Sequence, residues 1–368
     1  MKEYLIELFE RLPDSMKLAV LVILFIATVA LAVRDVLEWW KVAELKKQLK
    51  AVTEERDQLD ARFKAMDKVD SIVWKKPDAL QQNHLTPRTG RRARFVAICN
   101  FKGGVGKTTL TLNLGITLAL KGKSVLIVDL DWQATLSKLA MPEDLRLQYM
   151  KNGWTTDALF RDHVTSTQAK TWMFPLKDTP KCKIMLARQD LDFVEFAAQS
   201  RFFVDPQSHE VRFLLQRILH APEIIQEFDF VFFDCPPRLT TACMNALTCA
   251  DFVLVPTSLS KEDIEAVPHT LDWIRELSGL VRAELLGAVI TRAKLRSGKP
   301  VLRDQAQHLR LKDIIREHRA GGVFADIIPD SQKIHQVAEE EGAVAARDPE
   351  IRAIFDRLAR ELERKAST

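Results

Sequence analysis

Residues 95–116 read FVAICNFKGGVGKTTLTLNLGI, and this stretch decides the fold. Its apolar start predicts a buried β-strand, and its apolar end has the spacing of a helix. Between them lie Gly103, Gly104 and Gly106, whose backbone N–H groups can close around phosphate oxygens because no Cβ stands in the way. Strand, glycine-rich loop and helix in this order predict a phosphate-binding P-loop.

The residues after the glycines supply charge and a metal ligand. Lys107 places an ammonium group where the β- and γ-phosphates of a nucleotide would lie, and the Thr108 hydroxyl is placed to bind Mg²⁺. The positive end of the helix dipole adds to the attraction. The loop residues predicted to bind the nucleotide are Gly103, Gly104, Val105, Gly106, Lys107, Thr108 and Thr109.

The loop departs from the general pattern G-x-x-x-x-G-K-[ST] at its first position. Phe101 stands where the first glycine is expected, and a second lysine, Lys102, opens the sequence KGGVGKTT. This deviant Walker A motif resembles that of the ParA/MinD family of ATPases. The resemblance implies ATP and Mg²⁺ as cofactors, ATP hydrolysis, and a homodimer that closes over the nucleotides. It also implies that Lys102 is catalytic in trans, since the extra lysine of the family reaches the phosphates of the partner.

Three aspartates follow predicted strands at positions that this family leads one to expect. SVLIVDLDWQAT, residues 124–135, places Asp129 and Asp131 beyond a strand end, where ligands of open α/β sheets bind. Asp129 resembles the carboxylate that contacts the Mg²⁺ shell, and Asp131 the catalytic one that orients the attacking water. Asp234 resembles the Walker B carboxylate that holds Mg²⁺ through water. Trp132 replaces the usual proline of the family, a difference that bears on the hydrolysis rate.

The resemblance extends to the C terminus and covers about three quarters of the chain. The segment FADIIPDSQKIHQVAEEEG, residues 324–342, resembles the I-P-x-S segment of the family. There Pro329 and Asp330 would lie by the adenine ring. Thr291 stands where relatives often carry an asparagine that reads the base. These three residues complete the predicted nucleotide site.

From Phe95 onward, short β-rich runs alternate with helical periods. The clearest strands are Phe95–Cys99, Ser124–Asp129, Lys183–Leu186, Phe230–Asp234, Phe252–Pro256 and Leu286–Ile290. Strands that alternate with helices predict an α/β fold, here a P-loop NTPase with a mainly parallel sheet flanked by helices. Residues 95–368 are therefore the predicted ATPase domain.

The N-terminal region carries an uncharged apolar run, Leu18–Val33, with Lys17 and Arg34 at its ends. A helix over about residues 17–37 approaches the length that a bilayer requires, so residues 1–40 are a predicted membrane anchor. A buried helix of a soluble domain and a cleaved signal peptide are the alternatives. More Lys and Arg follow the run than precede it, which favours a single-pass protein of the bacterial inner membrane with a cytoplasmic ATPase domain.

Residues 41–69 carry a heptad pattern, in which apolar residues recur at alternating spacings of three and four without Gly or Pro. The seam consists of Val42, Leu45, Leu49, Val52, Arg56, Leu59, Phe63 and Met66. A parallel coiled-coil homodimer is the predicted structure. A single amphipathic helix packed on the ATPase domain is the alternative.

Residues 70–94 break both patterns and predict a basic linker. The chain has a net charge of +4. Residues 1–69 carry 12 basic and 12 acidic side chains, residues 95–368 carry 36 of each, and the linker carries six basic and two acidic ones. The whole excess charge thus lies in the linker, where we expect it to contact anionic lipid, DNA or a neighbouring domain.

Cysteine and histidine usage predicts no metal or iron–sulfur site, because neither residue type recurs at a ligand spacing. The odd number of cysteines, five, without a C-x-x-C pair predicts buried free thiols in a reducing compartment.

The stretch from Arg292 to Arg319 holds nine basic and three acidic residues. Nonspecific DNA binding through this stretch and an ordinary solvated surface are both compatible with that composition. The apolar stripe from Ile351 to Leu362 in the final predicted helix favours core packing over a membrane-binding face.

Together, these segments predict a membrane-anchored ParA-like ATPase. ATP binding would close a sandwich dimer and hydrolysis would open it, and this switch would position or partition DNA or a cargo. The alternative is a membrane-bound sensor or regulator whose ATP state gates a partner complex, in envelope assembly or anti-phage defence, without DNA partition. Either role implies an unidentified protein activator or cargo.

Overall fold

The structure is a computed structural model and describes residues 13–66, 90–161, 164–177, 179–204, 210–296, 299–337 and 344–367. The chain divides into two compact units, residues 1–68 and 69–368. Residues 1–12 of the predicted anchor, 67–69 of the predicted coiled coil and 70–89 of the predicted linker lie outside the described residues.

The described part of the first unit is one helix, α1 (Asp14–Met66). The carbonyl of Pro13 accepts the N–H of Lys17 at 2.9 Å, which closes the first turn. No glycine or proline interrupts the 53 residues of the helix. Within residues 14–66, the segments predicted as anchor and as coiled coil therefore lie on one continuous helix.

Part of α1, Val20–Glu54, is long and apolar enough to cross a membrane, judged by length and composition alone. None of its most apolar window is buried within the structure. The heptad residues Val42, Leu45, Leu49 and Val52 are between 49% and 66% exposed. The described part of α1 thus presents apolar side chains along both of its predicted segments.

A seven-stranded sheet forms the centre of the second unit. Its strands are β1 (Arg94–Ile98), β2 (Val125–Asp129), β3 (Phe174–Leu176), β4 (Thr179–Met185), β5 (Phe230–Asp234), β6 (Phe252–Thr257) and β7 (Glu284–Ile290). They are ordered β3-β4-β2-β5-β1-β6-β7, and all neighbours are parallel except β3 and β4. A separate antiparallel pair consists of β8 (Leu295–Arg296) and β9 (Lys299–Pro300).

Helices connect these strands. They are α2 (Lys107–Leu120), α3 (Thr135–Ala140), α4 (Glu143–Lys151), α5 (Ser166–Thr171), α6 (Leu191–Val204), α7 (Leu214–Leu219), α8 (Pro222–Ile225), α9 (Thr241–Cys249), α10 (Lys261–Glu276), α11 (Leu302–Glu317), α12 (Gln332–Val337), α13 (Val344–Arg347) and α14 (Pro349–Lys365). A 3₁₀ turn covers Thr156–Phe160.

Two apolar cores lie on opposite faces of the sheet. Alternate side chains of β1 divide between them, with Phe95 and Ala97 in one core and Val96 and Ile98 in the other. Helices α9 and α10 contribute to the first core, and α2 and α14 contribute to the second. Strands covered by helices on both faces are expected to be almost wholly apolar, as the central strands β2, β5, β1 and β6 are.

The predicted mainly parallel α/β sheet is confirmed, with shifts at the strand ends. The largest shift is in β4, which begins at Thr179 and not at Lys183. The sequence analysis missed β3, in which Pro175 is tolerated because the strand lies at the edge of the sheet. The stripe of α14 is buried as predicted, with Phe355 and Leu362 fully inaccessible.

The last residues of the predicted basic linker belong to the second unit, since β1 begins at Arg94. The Arg91 guanidinium pairs with the Asp251 carboxylate, and both side chains are at most 5% exposed. Arg92 pairs with Asp229 at 2.8 Å, nearer the surface. The prediction of a contact with lipid, DNA or a neighbouring domain is wrong for the buried Arg91, and it stays a prediction for Arg92, whose side chain is 47% exposed.

Candidate nucleotide site

The site lies at the carboxyl ends of three adjacent strands, β2, β5 and β1. The loop between β1 and α2 is held by Asn100, whose amide donates a hydrogen bond to the Pro256 carbonyl at 2.8 Å. The Asn100 Oδ1 atom accepts the N–H of Lys102 at 2.9 Å. A buried side chain thus ties the start of the loop to the end of β6.

Gly106 turns the loop into α2. Its φ of 80° lies in the left-handed region, and a Cβ there would lie 3.3 Å from the Thr291 side chain. The buried Thr291 hydroxyl donates to the carbonyl of Val105 at 2.7 Å. Thr291, predicted as a base-contacting residue, therefore also holds the backbone of the loop.

The ammonium group of Lys107 turns back over the loop. Its Nζ atom donates to the carbonyl of Asn100 at 3.0 Å and to that of Lys102 at 2.9 Å. Since charge-assisted hydrogen bonds to phosphate are stronger than those to neutral carbonyls, a bound nucleotide can take over this cation. Lys102 itself is half-buried in the same loop.

The hydroxyls of two threonines in α2 reach the carboxylate at the end of β5. Thr108 donates to Oδ2 of Asp234 at 2.8 Å, and Thr111 donates to Oδ1 at 3.5 Å. Burial, followed by the neighbouring Asp129 carboxylate, raises the pKa of Asp234 well above its usual range. The pair of Thr108 and Asp234 therefore sits together, as the predicted metal site requires.

Asp129 and Asp234 lie side by side, because β2 and β5 pair in register at these residues. Ser137 donates to the Asp129 carboxylate from its N–H at 2.9 Å and from its hydroxyl at 2.6 Å. The N–H of Asp131 donates to it at 3.1 Å. Burial raises the pKa of Asp129 to about 7 in spite of these hydrogen bonds.

This donor set fits Mg²⁺. Thr108, Asp129 and Asp234 offer one hydroxyl and two carboxylates, the oxygen ligands that a hard cation prefers. Burial raises the pKa of both carboxyl groups, and the neighbouring Asp129 carboxylate raises that of Asp234 further, so a divalent cation would offset the cost of ionising them.

Asp131 lies beyond β2 and is less buried than Asp129 or Asp234. Its Oδ1 atom accepts the N–H of Gln133 at 3.1 Å. Trp132, which stands in place of the family proline, packs against the first apolar core. The loop that carries Asp131 is thus fixed by an aromatic side chain instead of a proline ring.

A pocket of about 350 Å³ lies beside the P-loop. It is lined by Gly104, Gly106, Lys107, Thr108, Thr109, Thr291, Arg292, Ile328, Pro329, Asp330, Ser331 and Ile334. The structure therefore places Pro329 and Asp330 next to the loop glycines, as the adenine prediction requires. The N–H of Asp330 donates to the Ala293 carbonyl at 2.9 Å, which fixes this wall of the pocket. Of the other predicted loop residues, Val105 is buried and Gly103 is exposed.

Arg292 is a site residue that the sequence analysis missed. The sequence analysis assigns it to a basic stretch with DNA or solvent as partner, but its Nη1 atom donates to the Gly104 carbonyl at 2.8 Å. Other members of the stretch are paired within the domain, since Arg310 contacts Glu265 at 3.6 Å. The position of Arg292 directly after Thr291 is the one signal that the sequence carries.

Three cysteines meet behind the P-loop. The Sγ atoms of Cys99, Cys235 and Cys243 all lie within 4.8 Å of one another, and those of Cys99 and Cys243 are 3.9 Å apart. Hydrogen bonds from the other two thiols hold the pKa of the Cys99 thiol well below its usual range. All five cysteines are buried and free, as predicted. The spacing argument against a cysteine group is wrong, because the group is assembled from three separate elements.

Comparison with known proteins identifies the family. A family model described as an AAA domain matches residues 93–285, just over half of the chain. The sporulation initiation inhibitor protein Soj of Bacillus subtilis is 28% identical over 276 residues, which cover 73% of this chain and 98% of Soj. The chain belongs to the ParA/MinD family of P-loop ATPases. The chromosome partitioning protein ParA of Caulobacter vibrioides is 29% identical to this ATPase, over 66% of the chain and 83% of ParA.

Solved structures agree with this assignment. The complex of a Cyanothece McdA variant with ATP superposes on the ATPase with a TM-score of 0.60 at 20% identity, over 74% of this chain and 98% of McdA. At that identity the likeness shows the fold. The solved structure of cobyrinic acid a,c-diamide synthase from Mycobacterium smegmatis, 25% identical over 74% of this chain and 94% of that chain with a TM-score of 0.59, contains an ATP analogue and magnesium. ATP and Mg²⁺ are thus the cofactors of this ATPase, in agreement with the oxygen donors of the site.

Proposed function

We propose that this ParA/MinD-family ATPase is a membrane-anchored switch that positions or partitions DNA or another cargo. ATP closes a dimer of two ATPase domains, and hydrolysis opens it. One observation carries the proposal: a ParA-type nucleotide site is joined to one long helix, α1, whose apolar segment is exposed. The names of relatives that act in chromosome partition support the positioning role.

Each charged residue of the site has one task in this proposal. Lys107 leaves the loop carbonyls and binds the β- and γ-phosphates. Thr108, Asp129 and Asp234 would hold Mg²⁺, directly or through water, and the bound ion would supply positive charge next to the transferred phosphoryl group. Asp131 orients the attacking water, which its partial exposure supports.

Lys102 acts on the nucleotide of a second copy. The neighbouring residues Gly103 and Gly104 are exposed, so this part of the loop faces outward where a second domain can approach. A dimer that closes over this surface brings Lys102 to the partner's phosphates. Each site then depends on both chains, which couples ATP to dimerisation.

The heptad seam of α1 pairs two chains into a coiled coil, and this pairing does not require ATP. The exposed apolar residues Val42, Leu45, Leu49 and Val52 are covered when a second helix packs against them. Linking two ATPase domains in this way sets their effective concentration near the millimolar range. Closure of the ATP dimer then depends little on the amount of protein present.

Residues 1–40 anchor the chain as a single span in the bacterial inner membrane, with the ATPase domain in the cytoplasm. The apolar run is exposed from Leu21 to Val33, and the exposed Trp39 and Trp40 follow it, as aromatic residues do at membrane interfaces. The excess of Lys and Arg after the run supports the orientation.

The partner is a protein activator or cargo, with nonspecific DNA as a second ligand. The exposed cations Lys312, Arg316 and Arg319 remain at the surface for DNA, whereas Arg292 holds the P-loop. If DNA is not bound, the ATPase gates a protein complex, which is the sensor or regulator role.

The full-length protein, reconstituted into vesicles of phosphatidylethanolamine and phosphatidylglycerol, tests this proposal. The ATP hydrolysis rate per chain is measured as protein density in the vesicles is varied. We expect the wild-type rate to be independent of density. In the double variant L45D/L49D, we expect the hydrolysis rate per chain to fall as protein density falls. In the control K47D/K50D, which places two aspartates outside the heptad seam, we expect the rate to stay independent of density.

Two further measurements separate the parts of the proposal. K102A keeps ATP binding and loses the ATP-dependent approach of two domains, measured by energy transfer between labelled chains. Vesicles that carry the wild-type protein are also washed with alkaline carbonate. Release of the protein into the supernatant would contradict the proposed membrane anchor. Binding of a fluorescent random duplex, lost on raising the salt and in K312A/R316A/R319A, supports the DNA role, and absence of binding supports the sensor role.

A further inference from the structure

The three cysteines behind the P-loop come from the elements that build the nucleotide site. Cys99 follows β1 at the start of the P-loop, Cys235 follows Asp234 at the end of β5, and Cys243 lies in the first turn of α9. Each of the three is at most 1% exposed. Three thiols from separate elements therefore converge in the interior, next to the phosphate site.

We propose that Cys99, Cys235 and Cys243 form a binding site for one soft, thiophilic metal ion, monovalent copper in preference to other cations. None of the roles proposed above for the nucleotide site uses these three thiols. Their proximity is the observation that carries the proposal, because their sulfur atoms all lie within 4.8 Å of one another.

The sulfur spacing fits three-coordinate geometry. A metal–thiolate bond is about 2.3 Å long, so three sulfurs around one ion in a plane lie about 4 Å apart. The Sγ atoms of Cys99 and Cys243 are 3.9 Å apart, and the other two separations are at most 4.8 Å. An ion can thus enter the group with side-chain movements of a few tenths of an ångström.

The ligand set favours Cu⁺ over the other common ions. Thiolate ligands are soft and select monovalent copper, zinc or iron–sulfur clusters, while Mg²⁺ takes oxygen ligands. Structural zinc sites almost always have four ligands, and among the described residues this group has three Cys, His, Asp or Glu members. The hard donors around Asp129 and the soft group around Cys99 therefore take different cations.

The binding step transfers no electrons. Copper arrives as Cu⁺, each Cu–S bond replaces one S–H bond, and each displaced proton passes to the buffer. The ion joins the ends of β1 and β5 to α9, and so links the P-loop to the strand that carries Asp234.

The other two cysteines provide matched controls. Cys182 lies in β4 and Cys249 ends α9, and both are as deeply buried as the proposed ligands. Neither belongs to the three-cysteine group. Removing either one makes the same small cavity in a core without removing a ligand.

Copper binding to the full-length protein in detergent tests the proposal. The reduced protein is titrated with Cu⁺ without oxygen, in competition with the coloured chelator bathocuproine disulfonate. We expect one Cu⁺ per chain, and we expect C99A and C243A to weaken binding by more than the ~10–100-fold that follows loss of a residue behind a ligand. C182A and C249A keep wild-type affinity.

Two controls keep the result interpretable. ATP binding, measured on the same samples, reports whether each variant is folded, and C243S replaces C243A if the alanine variant is not. X-ray absorption of the wild-type complex is expected to show three sulfur neighbours at about 2.3 Å. Failure of the wild-type protein to take copper from the chelator, equal losses in C182A, or oxygen and nitrogen neighbours would each overturn the proposal.

Discussion

The two units of this ATPase differ in where their apolar side chains lie. In the second unit, Phe95 and Phe232 are fully buried, so packing within the chain explains their presence. In α1, Phe25 is 70% exposed and Leu49 is 66% exposed. An extended exposed apolar surface is typical of a membrane or protein contact. The nucleotide site thus rests on a core that the chain supplies itself, while we propose that a membrane and a second chain cover the apolar side chains of α1.

The largest expected effect concerns the catalytic role proposed for Asp131. This residue lies in the second unit, so its effect should not depend on α1. Asp131→Ala removes the carboxylate that we propose orients the attacking water, and its side chain belongs to neither core nor to the P-loop. We expect phosphate release to fall on the order of 10²–10⁴-fold, with ATP binding retained. Asp313→Ala, which removes a surface carboxylate, is the control. An unchanged rate in Asp131→Ala would refute the role given to it.

Breaking the buried ion pair of Arg91 and Asp251 tests whether the interior of the second unit extends to the residues just before β1. Arg91→Met leaves the buried Asp251 carboxylate without its cation, and we expect the free energy of unfolding to fall by about 3–5 kcal/mol. Arg92→Met breaks a more exposed pair and is expected to cost at most about 1 kcal/mol. Urea unfolding of both variants measures the difference. Equal losses would mean that burial does not distinguish the two pairs.

A charge placed in the apolar run of α1 tests whether this exposed run inserts into a membrane. Ile23→Arg makes insertion of a membrane helix less favourable by about 3 kcal/mol. We expect the protein to leave the carbonate-washed membrane fraction while its ATP binding is unchanged. Thr28→Val, which keeps the run apolar, is expected to remain in that fraction. An Ile23→Arg protein that stays in the membrane contradicts the anchor.

The last expected effect is a pH dependence that belongs to the second unit alone. The carboxyl group of Asp129 has a pKa of about 7 in the folded protein, against about 3.9 in an unfolded chain. Without Mg²⁺ the folded state binds more protons between these values, so its stability decreases as pH rises from about 4 to 7 and then levels off.

Mg²⁺ with ATP reverses this trend, because the ion requires the deprotonated carboxylate. The rise in Tm on adding Mg²⁺ and ATP is therefore expected to be larger at pH 8 than at pH 6. ATP with a chelator in place of Mg²⁺ is the control at both pH values. An equal rise at the two pH values would mean that Asp129 does not bind the ion.

The parts of the site that could be predicted from the sequence are those that local chemistry determines. Gly106 requires a left-handed conformation, and Asp129 and Asp234 each end an apolar strand, so a single short segment marks each of them. Their proximity follows from the parallel sheet, because neighbouring strands of such a sheet end at one edge.

The parts that could not be predicted depend on contacts between distant segments. Arg292 holds the carbonyl of Gly104, and Arg91 pairs with Asp251, yet an arginine in a basic stretch carries no spacing signal for either contact. The three-cysteine group could not be predicted for the same reason, because rules on the spacing of ligands along the sequence do not find cysteines that come from three separate elements. The strand β3 was missed because three residues with a proline have no periodicity.

The continuity of α1 has a mechanical consequence. A helix without glycine or proline resists twisting, so the direction in which its apolar segment faces sets the direction in which the heptad seam faces. Each residue turns the helix by about 100°. One residue inserted between Arg34 and Lys41 would therefore rotate the seam by about a quarter turn without altering a single heptad. In the proposed anchored dimer, the phase between the two segments would therefore matter as well as their composition.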